Sequence, residues 1–217
     1  MQTRKEIRDQ ILDCGVVAIV RLSDGDQLRE VAEAIYAGGV TAMEFTLNTP
    51  KALESIRECN REMTECVIGA GTVLNAKAAQ TALEAGAQFI VSPGTKADVI
   101  EVTHHFGKVA VPGAYTPTEI GVAMDLYADI IKLFPAKGLG PAYVKEIRGP
   151  YDDVCIMPTG GVTPENVADY MEAGAAAVAS GGGLVNDALV QSGAFDTITA
   201  NAQAMKAAMD AARKENG

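Results

Sequence analysis

Short runs of consecutive apolar residues recur along the chain, and each predicts a strand that is buried on both faces. Continuous rather than alternating hydrophobicity is typical of parallel strands that are covered by helices on each side. The runs occupy residues 16–20, 42–47, 67–73, 89–92, 109–112, 130–134, 154–158 and 176–179. Eight such segments at a steady spacing predict a repeated strand–helix unit.

The segments between these strands carry recognisable helix signals. Thr3 with Glu6, and Thr116 with Glu119, have the spacing of a capping box, in which each side chain accepts a bond from the other residue's backbone amide. Ala-Gly pairs recur where the helices would end, as expected of left-handed helix terminators. Strands and helices therefore alternate along the whole chain.

Eight strand–helix units without a proline- or serine-rich linker predict an α/β fold, a single (β/α)8 TIM barrel domain over residues 1–217. Extra helices at residues 2–14 and 200–217 would precede and follow the barrel. A doubly wound open sheet is the alternative, but no GxGxxG sequence follows the first strand. The chain, at 217 residues, is small for a fold of typically ~250 residues.

The chain is acidic, with 28 Asp and Glu against 18 Lys and Arg and a net charge of −10. Such a surface repels phosphate backbones and anionic lipids, so neither nucleic acid nor a membrane is an expected partner. No apolar run approaches the ~20 residues that span a bilayer, and the amino-terminal segment is amphipathic, unlike a signal peptide. The four cysteines form no CxxC pair, which fits reduced thiols in the cytoplasm.

The sequence predicts no metal site. Its two histidines, His104 and His105, are adjacent, so their side chains point in different directions. Without HxH, HExxH or paired cysteines, the ligand spacing of a His- or Cys-bound metal is missing. We therefore expect chemistry that requires no metal cofactor.

Three charged residues emerge from separate apolar strands at the face where a barrel carries its active site. Arg21, Glu44 and Lys132 lie at or near the carboxyl ends of predicted strands, which form that face in (β/α)8 enzymes. Lys132 interrupts an apolar run, and burying its ammonium costs ~several kcal/mol unless a partner offsets the cost or the proton is lost. A solvated lysine at a strand edge, or a structural Lys132–Glu44 ion pair, is the simpler alternative.

A lysine that has lost its proton attacks carbonyl carbons, which makes Lys132 a candidate for imine formation. Glu44 is the candidate acid and base that moves protons for carbinolamine formation, dehydration and enamine formation. The iminium then accepts electrons, so a neighbouring C–C bond breaks or forms without a metal. Lys137 follows five residues later in a predicted loop, where we interpret it as a solvated charge.

Glycine-rich turns mark a second function at the ends of the seventh and eighth strands. Barrel enzymes frequently bind phosphate there, because backbone N–H groups of glycines approach the anion closely. One turn is Thr159-Gly160-Gly161, and the other is Ser180-Gly181-Gly182-Gly183. Two such turns on consecutive strands predict a phosphorylated substrate.

Four motifs resemble those of one enzyme family and occur in its order: GAGTVL at 69–74, SPG at 92–94, IKLFPA at 131–136 and PTGGV at 158–162. From about residue 15 to 184 the chain is similar to the class I aldolases that act on 2-keto-3-deoxy-6-phosphogluconate (KDPG), also described as 4-hydroxy-2-oxoglutarate (KHG) aldolases. The family is a trimeric barrel that reversibly cleaves its substrate into pyruvate and glyceraldehyde 3-phosphate. The resemblance implies a lyase of the Entner–Doudoroff type, with a covalent imine and no cofactor.

The resemblance also assigns roles to individual residues. Lys132 corresponds to the Schiff-base lysine, and Glu44 to the general acid/base that works partly through water. The other substrate positions are Arg21 near its anionic groups, Thr72 at the pyruvate, and Pro93 and Thr159 in the pocket wall. The phosphate positions are Gly160, Gly161, Ser180, Gly181 and Gly182.

The chain departs from the KDPG pattern in two places. Asn48 stands where the KDPG enzymes carry an arginine for the pyruvate carboxylate, as in relatives that act on the galactonate epimer (KDPGal), which leaves Arg21 as the carboxylate partner. Thr159, by contrast, resembles the gluconate type, so the two positions favour opposite epimers. Gly182 replaces the family's phosphate-binding serine, while Ser180 lies two residues earlier, so phosphate binding should depend more on backbone N–H groups.

Other functions remain open from the residues alone. The same chemistry on KDPGal or KHG is one alternative. A phosphosugar isomerase or epimerase would use Glu44 and Lys132 for proton abstraction without an imine. A non-catalytic phosphosugar-binding barrel would need neither residue. Trapping a pyruvate imine with borohydride separates the aldolase from the last two.

Overall fold

The computed structural model describes residues 2–215, in which parallel strands alternate with helices along the chain. The strands are β1 Val16–Val20, β2 Ala42–Thr46, β3 Val67–Gly71, β4 Phe89–Val91, β5 Val109–Val111, β6 Gly113–Ala114, β7 Ile131–Leu133, β8 Ile156–Pro158 and β9 Val178–Ser180. They are short and almost entirely buried, as the continuous apolar runs predicted.

The helices are α1 Arg4–Cys14, α2 Leu28–Ala37, α3 Ala52–Glu62, α4 Ala76–Glu84, α5 Ala97–His105, α6 Pro117–Asp125, α7 Gly140–Arg148, α8 Val167–Glu172, α9 Asp187–Gln191 and α10 Phe195–Glu215, with a 3-10 turn at Ala136–Gly138. Both capping boxes are present, at Thr3 and Thr116. The helix expected over 200–217 begins earlier, at Phe195, and residues 216–217 lie outside the described residues. No helix within residues 2–215 is long and apolar enough to cross a membrane.

Every strand pairing in the structure is parallel, and the strands close into the predicted (β/α)8 barrel. One sheet has the order β5-β4-β3-β2-β1-β9, and the other has the order β6-β7-β8. The chain itself joins β5 to β6, and a bridge between Thr159 and Ala179 joins the end of β8 to β9. The fold is thus the expected TIM-barrel type, built from a long curled sheet and a short one.

The strand predicted at 109–112 is confirmed as β5 over Val109–Val111, and a second short strand that was not predicted, β6 Gly113–Ala114, follows Pro112. Proline has no N–H to donate to a neighbouring strand, so the ladder is interrupted there. The carbonyl of Pro112 still accepts a hydrogen bond from the Lys132 backbone amide at 2.9 Å, which keeps β7 in register beside this segment. The interruption at Pro112 therefore does not displace Lys132, because the Pro112 carbonyl still bonds its backbone amide.

The predicted third strand also ends early, because Thr72 has φ 31 and leaves the strand conformation. A β-branched residue in the left-handed region is strained by about 1–3 kcal/mol. The carboxyl end of β3 therefore turns sharply into the loop that faces the barrel axis. Local strain of this kind is concentrated at functional sites in proteins.

Helix α1 covers the amino-terminal ends of the strands and leaves the opposite face of the barrel open. It contacts β1, β2, β3 and β5, and it buries Ile7 and Ile11 completely. Arg4 bonds Asp129 just before β7, and Cys14 accepts a bond from the amide of Thr41 just before β2. A cavity is therefore expected only at the carboxyl ends.

Candidate active site

A cavity of about 560 Å³ opens at the carboxyl ends of the strands. Residues that end or follow β1, β3, β4, β7, β8 and β9 form its wall, as the barrel geometry requires. The sequence-predicted residues in the wall are Arg21, Thr72, Pro93, Lys132, Thr159, Gly160, Gly161, Ser180, Gly181 and Gly182. Glu44 is the exception, since it is buried beside the cavity rather than in its wall.

Lys132 lies in the middle of β7 with its side chain directed into this cavity, and only 6% of the residue is exposed. Its Nζ stands 5.0 Å from the ring centroid of Phe134, a distance at which a cation is attracted to the ring face. Within residues 2–215 no carboxylate forms a salt bridge with Lys132. Neither a solvated lysine nor a structural Lys132–Glu44 ion pair describes this arrangement.

Glu44, in β2, is completely buried, and neither carboxylate oxygen has a hydrogen-bond partner among the described residues. Burial raises the pKa of Glu44, while the positive charges of Lys132 and Arg21 oppose that rise. The backbone N–H of Thr72 also lowers the pKa of Glu44, although it is not positioned to form a regular hydrogen bond with either carboxylate oxygen. A buried carboxyl group without a partner is a costly feature that proteins retain mainly for function.

Gly71 creates the space for the Glu44 side chain. A Cβ atom at position 71 would stand 1.7 Å from Oε1 of Glu44, closer than any non-bonded contact allows. Gly71, the second glycine of the GAGTVL motif, is therefore required because the Glu44 side chain approaches its Cα closely, and not because the chain turns there. Gly71 pairs with Thr46 in the β2–β3 ladder, while the residue paired with Glu44 is Gly69, so the Glu44 side chain leans along the strand towards Gly71.

Arg21 and Thr72 form a contact across the mouth of the cavity. The Nη2 of Arg21 donates a hydrogen bond of 3.0 Å to Oγ1 of Thr72, which holds the strained threonine from the β1 side. Arg21 is otherwise exposed, so its guanidinium can also face an anion in the cavity. A carboxylate between Arg21 and Lys132 would meet positive charge on both sides.

The two glycine turns form the opposite wall of the cavity. Gly160 and Gly161 adopt φ values of 92 and 81, which side chains rarely adopt, so the turn depends on glycine. The hydroxyls of Thr159 and Ser180 both donate to backbone carbonyls, at 3.2 Å to Met157 and 3.1 Å to Val162. Because these hydroxyl protons are already engaged, the two turns themselves offer an anion their backbone N–H groups rather than these hydroxyls.

Sequence reasoning missed Phe134, whose ring lies over the lysine. The signal was present, because residues two apart in a strand point to the same face, and Phe134 follows Lys132 by two. It also missed Asp187, a cavity-wall residue whose carboxylate accepts bonds from the amide and hydroxyl of Ser23, at 2.7 and 2.9 Å. Asn48, singled out by the sequence, is exposed and outside the wall.

The described residues contain no group of three or more His, Cys, Asp or Glu side chains that could hold a metal ion. The cysteines are all unpaired thiols, and burial raises the pKa of Cys59 to about 12 and that of Cys66 to about 11. Such thiols remain protonated and unreactive at neutral pH. The side chains left for chemistry at the cavity are therefore the amino group of Lys132, the buried carboxyl group of Glu44 and the guanidinium of Arg21, because the Asp187 carboxylate is bonded to Ser23.

Comparison with known proteins agrees with this geometry. The family model of the KDPG and KHG aldolases matches residues 7–201. The 2-dehydro-3-deoxy-phosphogluconate aldolase of Pseudoalteromonas atlantica is 35% identical over 185 residues, which are 85% of this chain and 86% of that protein.

Two solved structures show the same likeness in three dimensions. A structure described as native KDPGal has a TM-score of 0.86 at 30% identity, over 92% of this chain and 96% of the other. The KDPG aldolase of Legionella pneumophila, with pyruvate captured as a covalent carbinolamine intermediate, has a TM-score of 0.81 at 26% identity, over 92% and 97%. The chain is a member of the KDPG and KHG aldolase family, whose members are lyases.

Proposed function

We propose that this protein is a class I aldolase that cleaves KDPG reversibly into pyruvate and glyceraldehyde 3-phosphate through an imine on Lys132. The observation that carries the proposal is the buried amino group of Lys132, which reaches the cavity and forms no salt bridge within residues 2–215. Near it lies the buried carboxyl group of Glu44, whose oxygens have no hydrogen-bond partner among the same residues. The Legionella relative, in which pyruvate was captured as a carbinolamine, supports the same use of a lysine in this family.

In the cleavage direction, the ammonium of Lys132 first releases its proton to solvent, and the neutral amine then attacks the C2 carbonyl carbon of the keto acid. The N–C bond forms, the carbonyl oxygen becomes a hydroxyl, and loss of that hydroxyl as water gives an iminium. A base then takes the C4 hydroxyl proton, the C3–C4 bond breaks, and its electron pair moves into the iminium. The products are the aldehyde and an enamine, which is protonated at C3 and hydrolysed to pyruvate and free lysine.

Glu44 is the group that moves these protons. Because burial raises its pKa, the acid form is favoured before substrate binds, and it can donate a proton to the departing carbinolamine hydroxyl. The positive iminium on Lys132 then stabilises the Glu44 carboxylate, which accepts the C4 hydroxyl proton. Glu44 gives this proton to C3 of the enamine and becomes a carboxylate again. It regains its acid form when the water that hydrolyses the pyruvate iminium transfers a proton to it.

The substrate lies with its two ends at opposite walls of the cavity. Arg21 binds the carboxylate of the pyruvate half, because Asn48 does not line the cavity where the KDPG enzymes use an arginine. Thr72, Pro93 and Thr159 shape the middle of the site. The phosphate is bound at the turns formed by Gly160, Gly161, Gly181 and Gly182, with Ser180 beneath them.

Incubation with pyruvate and sodium borohydride tests the imine. Mass spectrometry should locate a reduced three-carbon adduct on Lys132, and the Lys132→Ala variant should neither be labelled nor cleave KDPG. Lys145→Ala, which removes an exposed lysine on α7, is the matched control and should retain both properties. An unlabelled wild-type protein would exclude imine chemistry and favour an isomerase or epimerase.

The galactonate epimer is a second candidate substrate. It is favoured by Asn48 and by the high structural similarity to the native KDPGal structure. Rates of pyruvate release from KDPG, KDPGal and KHG, measured side by side, decide between them. A large preference for KDPGal would show that position 48 outweighs Thr159 in selecting the epimer.

We also propose that the enzyme is a cytoplasmic homotrimer that works without a metal. The family resemblance supports the trimer, and the unpaired cysteines fit a reducing compartment. Light scattering after gel filtration should give three times the 22.6 kDa chain mass. Prolonged treatment with EDTA should leave the rate of pyruvate release unchanged.

A further inference from the structure

The phosphate end of the cavity is poor in positive charge. Arg21 and Lys132 are the cations in the cavity wall, and the proposed function assigns both of them to the pyruvate half of the substrate. The ionisable residue in the wall near the second glycine turn is Asp187, an acid. The chain as a whole has a net charge of −10, so a phosphate dianion approaches against the overall field.

Lys137 lies beside this end of the cavity. It belongs to the 3-10 turn Ala136–Gly138, which a 2.9 Å hydrogen bond from the Ala136 amide to the Thr159 carbonyl fixes against the first glycine turn. A Cβ atom on Gly161 would stand 2.8 Å from Cβ and 3.0 Å from Cγ of Lys137. The lysine stem therefore lies directly against the face of Gly161.

The Lys137 ammonium has no competing partner in the described part of the chain. The residue is exposed, and within residues 2–215 its side chain forms no hydrogen bond or salt bridge. Other surface lysines, such as Lys5, Lys51 and Lys206, are paired with nearby carboxylates. A flexible four-carbon stem anchored on Gly161 can place its ammonium over an anion bound at the backbone amides of that turn.

We propose that Lys137 is a substrate-binding residue that supplies the positive charge for the phosphate group. The proposal rests on the proposed function and sharpens it, because the phosphate site then consists of glycine backbone amides plus one mobile ammonium at the rim. Lys137 takes no part in imine chemistry. Its contribution depends on the phosphate and is absent for a substrate with an uncharged tail.

Condensation of pyruvate with two aldehydes tests this role. Lys137→Met keeps the stem against Gly161 but removes the charge, so KM for glyceraldehyde 3-phosphate should rise about fivefold, as expected for a solvent-exposed ion pair. The kcat value, and KM for unphosphorylated glyceraldehyde, should stay unchanged. Lys137→Arg should restore the wild-type KM, and added NaCl should raise KM in the wild type more than in Lys137→Met.

Lys145→Met is the matched control, because it makes the same change in net charge at an exposed position on α7. An equal rise in KM in this variant would mean that the whole-protein field is responsible and would overturn the proposal. An equal loss with both aldehydes, or no loss in Lys137→Met, would also overturn it.

Titration with inorganic phosphate by calorimetry separates this inference from the proposed function. If the protein forms no borohydride-trapped pyruvate adduct, the aldolase assignment fails, yet the phosphate titration still decides the role of Lys137. About fivefold weaker phosphate binding by Lys137→Met than by Lys145→Met supports the proposal. Equal affinities of the two variants refute it.

Discussion

Two buried carboxyl groups, at opposite ends of the barrel, are treated in opposite ways by the fold. Asp129, at the amino-terminal end, accepts bonds from Arg4 at 2.6 Å, from the amide of Ala110 at 2.8 Å and contacts His104 at 3.2 Å. Glu44, towards the carboxyl-terminal end, has no hydrogen-bond partner within the described chain. One acid is fully satisfied, and the other is left available.

The difference separates stability from function along the barrel axis. Asp129, in the segment before β7, bonds both α1 and β5, so its bonds hold the amino-terminal end of the barrel closed. Glu44 contributes no such bond, and its burial without a partner costs about 1–3 kcal/mol. Proteins tolerate such a cost where a site needs a group that substrate, rather than protein, will satisfy.

The largest expected effect is on activity at Glu44. Glu44→Gln keeps the shape of the side chain but cannot transfer a proton, so kcat for KDPG cleavage should fall about 100- to 1000-fold with little change in KM. Pyruvate release in a coupled assay measures this effect. Glu101→Gln, on the exposed face of α5, is the control and should be indistinguishable from the wild type. An unchanged kcat in Glu44→Gln would remove Glu44 from the mechanism.

The second effect is on stability at Asp129. Asp129→Ala leaves the Ala110 amide and the Arg4 and His104 side chains without their acceptor, so the free energy of unfolding should fall by about 3 kcal/mol. Chemical denaturation measures this loss, and kcat per folded molecule should not change. Asp153→Ala, at an exposed position, should lose little stability. Equal losses in the two variants would show that Asp129 is not a structural anchor.

The sequence revealed the two catalytic candidates, Lys132 and Glu44, but it did not reveal the structural role of Asp129. Lys132 and Glu44 stand out because each breaks an apolar run, and a charge in a buried strand demands an explanation. Asp129 lies at the start of such a run and looks like an ordinary loop residue. Its partners Ala110, His104 and Arg4 are 19, 25 and 125 residues away along the chain, so no local pattern reveals them.

The fold was predictable to the extent that it depends on local sequence rather than on distant contacts. Strand order and the face that carries the cavity follow from the repeated units and from general rules on barrels. The break at Pro112 and the left-handed backbone at Thr72 do not, because both depend on neighbouring strands. Glu44 was predicted at the cavity, yet its place behind Gly71 emerges only when two strands are brought into register.

A smaller effect distinguishes the two carboxyl groups by pH. The pKa of Glu44 is raised in the fold, so the unfolded chain loses this proton first as pH increases. Stability conferred by the protonated form is present at low pH and is lost as pH rises from the unfolded value of about 4.3 towards the folded value. Glu44→Gln lacks this loss, so its stability relative to the wild type should increase from pH 4 to pH 8.

Denaturant midpoints at several pH values measure that difference. The Glu101→Gln variant should keep a constant offset from the wild type over the same range, because its side chain is exposed. A Glu44→Gln variant that becomes relatively less stable as pH rises would mean that Lys132 and Arg21 outweigh burial at this carboxyl group. Glu44 and Asp129 would then both be carboxylates that nearby positive charges stabilise.

The smallest effect concerns His104, which contacts Asp129 from α5. Burial and the nearby charge of Arg4 lower the pKa of His104, while Asp129 opposes this. Because the unfolded chain then takes up the proton first, the stability that neutral His104 provides is lost as pH falls below about 6.5. His104→Gln should cost up to about 1 kcal/mol at pH 8, and the gap to the wild type should narrow at pH 5.

Whether this stability difference narrows or widens towards pH 5 shows whether Arg4 or Asp129 has the larger effect on the pKa of His104. His105→Gln, at the exposed adjacent position, should show no such trend in the same denaturation series. A gap that widens towards pH 5 would mean that His104 becomes protonated and pairs with Asp129, so that the acid's charge outweighs burial and Arg4. If the stability difference between His104→Gln and the wild type narrows towards pH 5, Arg4 already neutralises the Asp129 carboxylate. Glu44, at the other end of the barrel, has no such salt-bridge partner within the described residues.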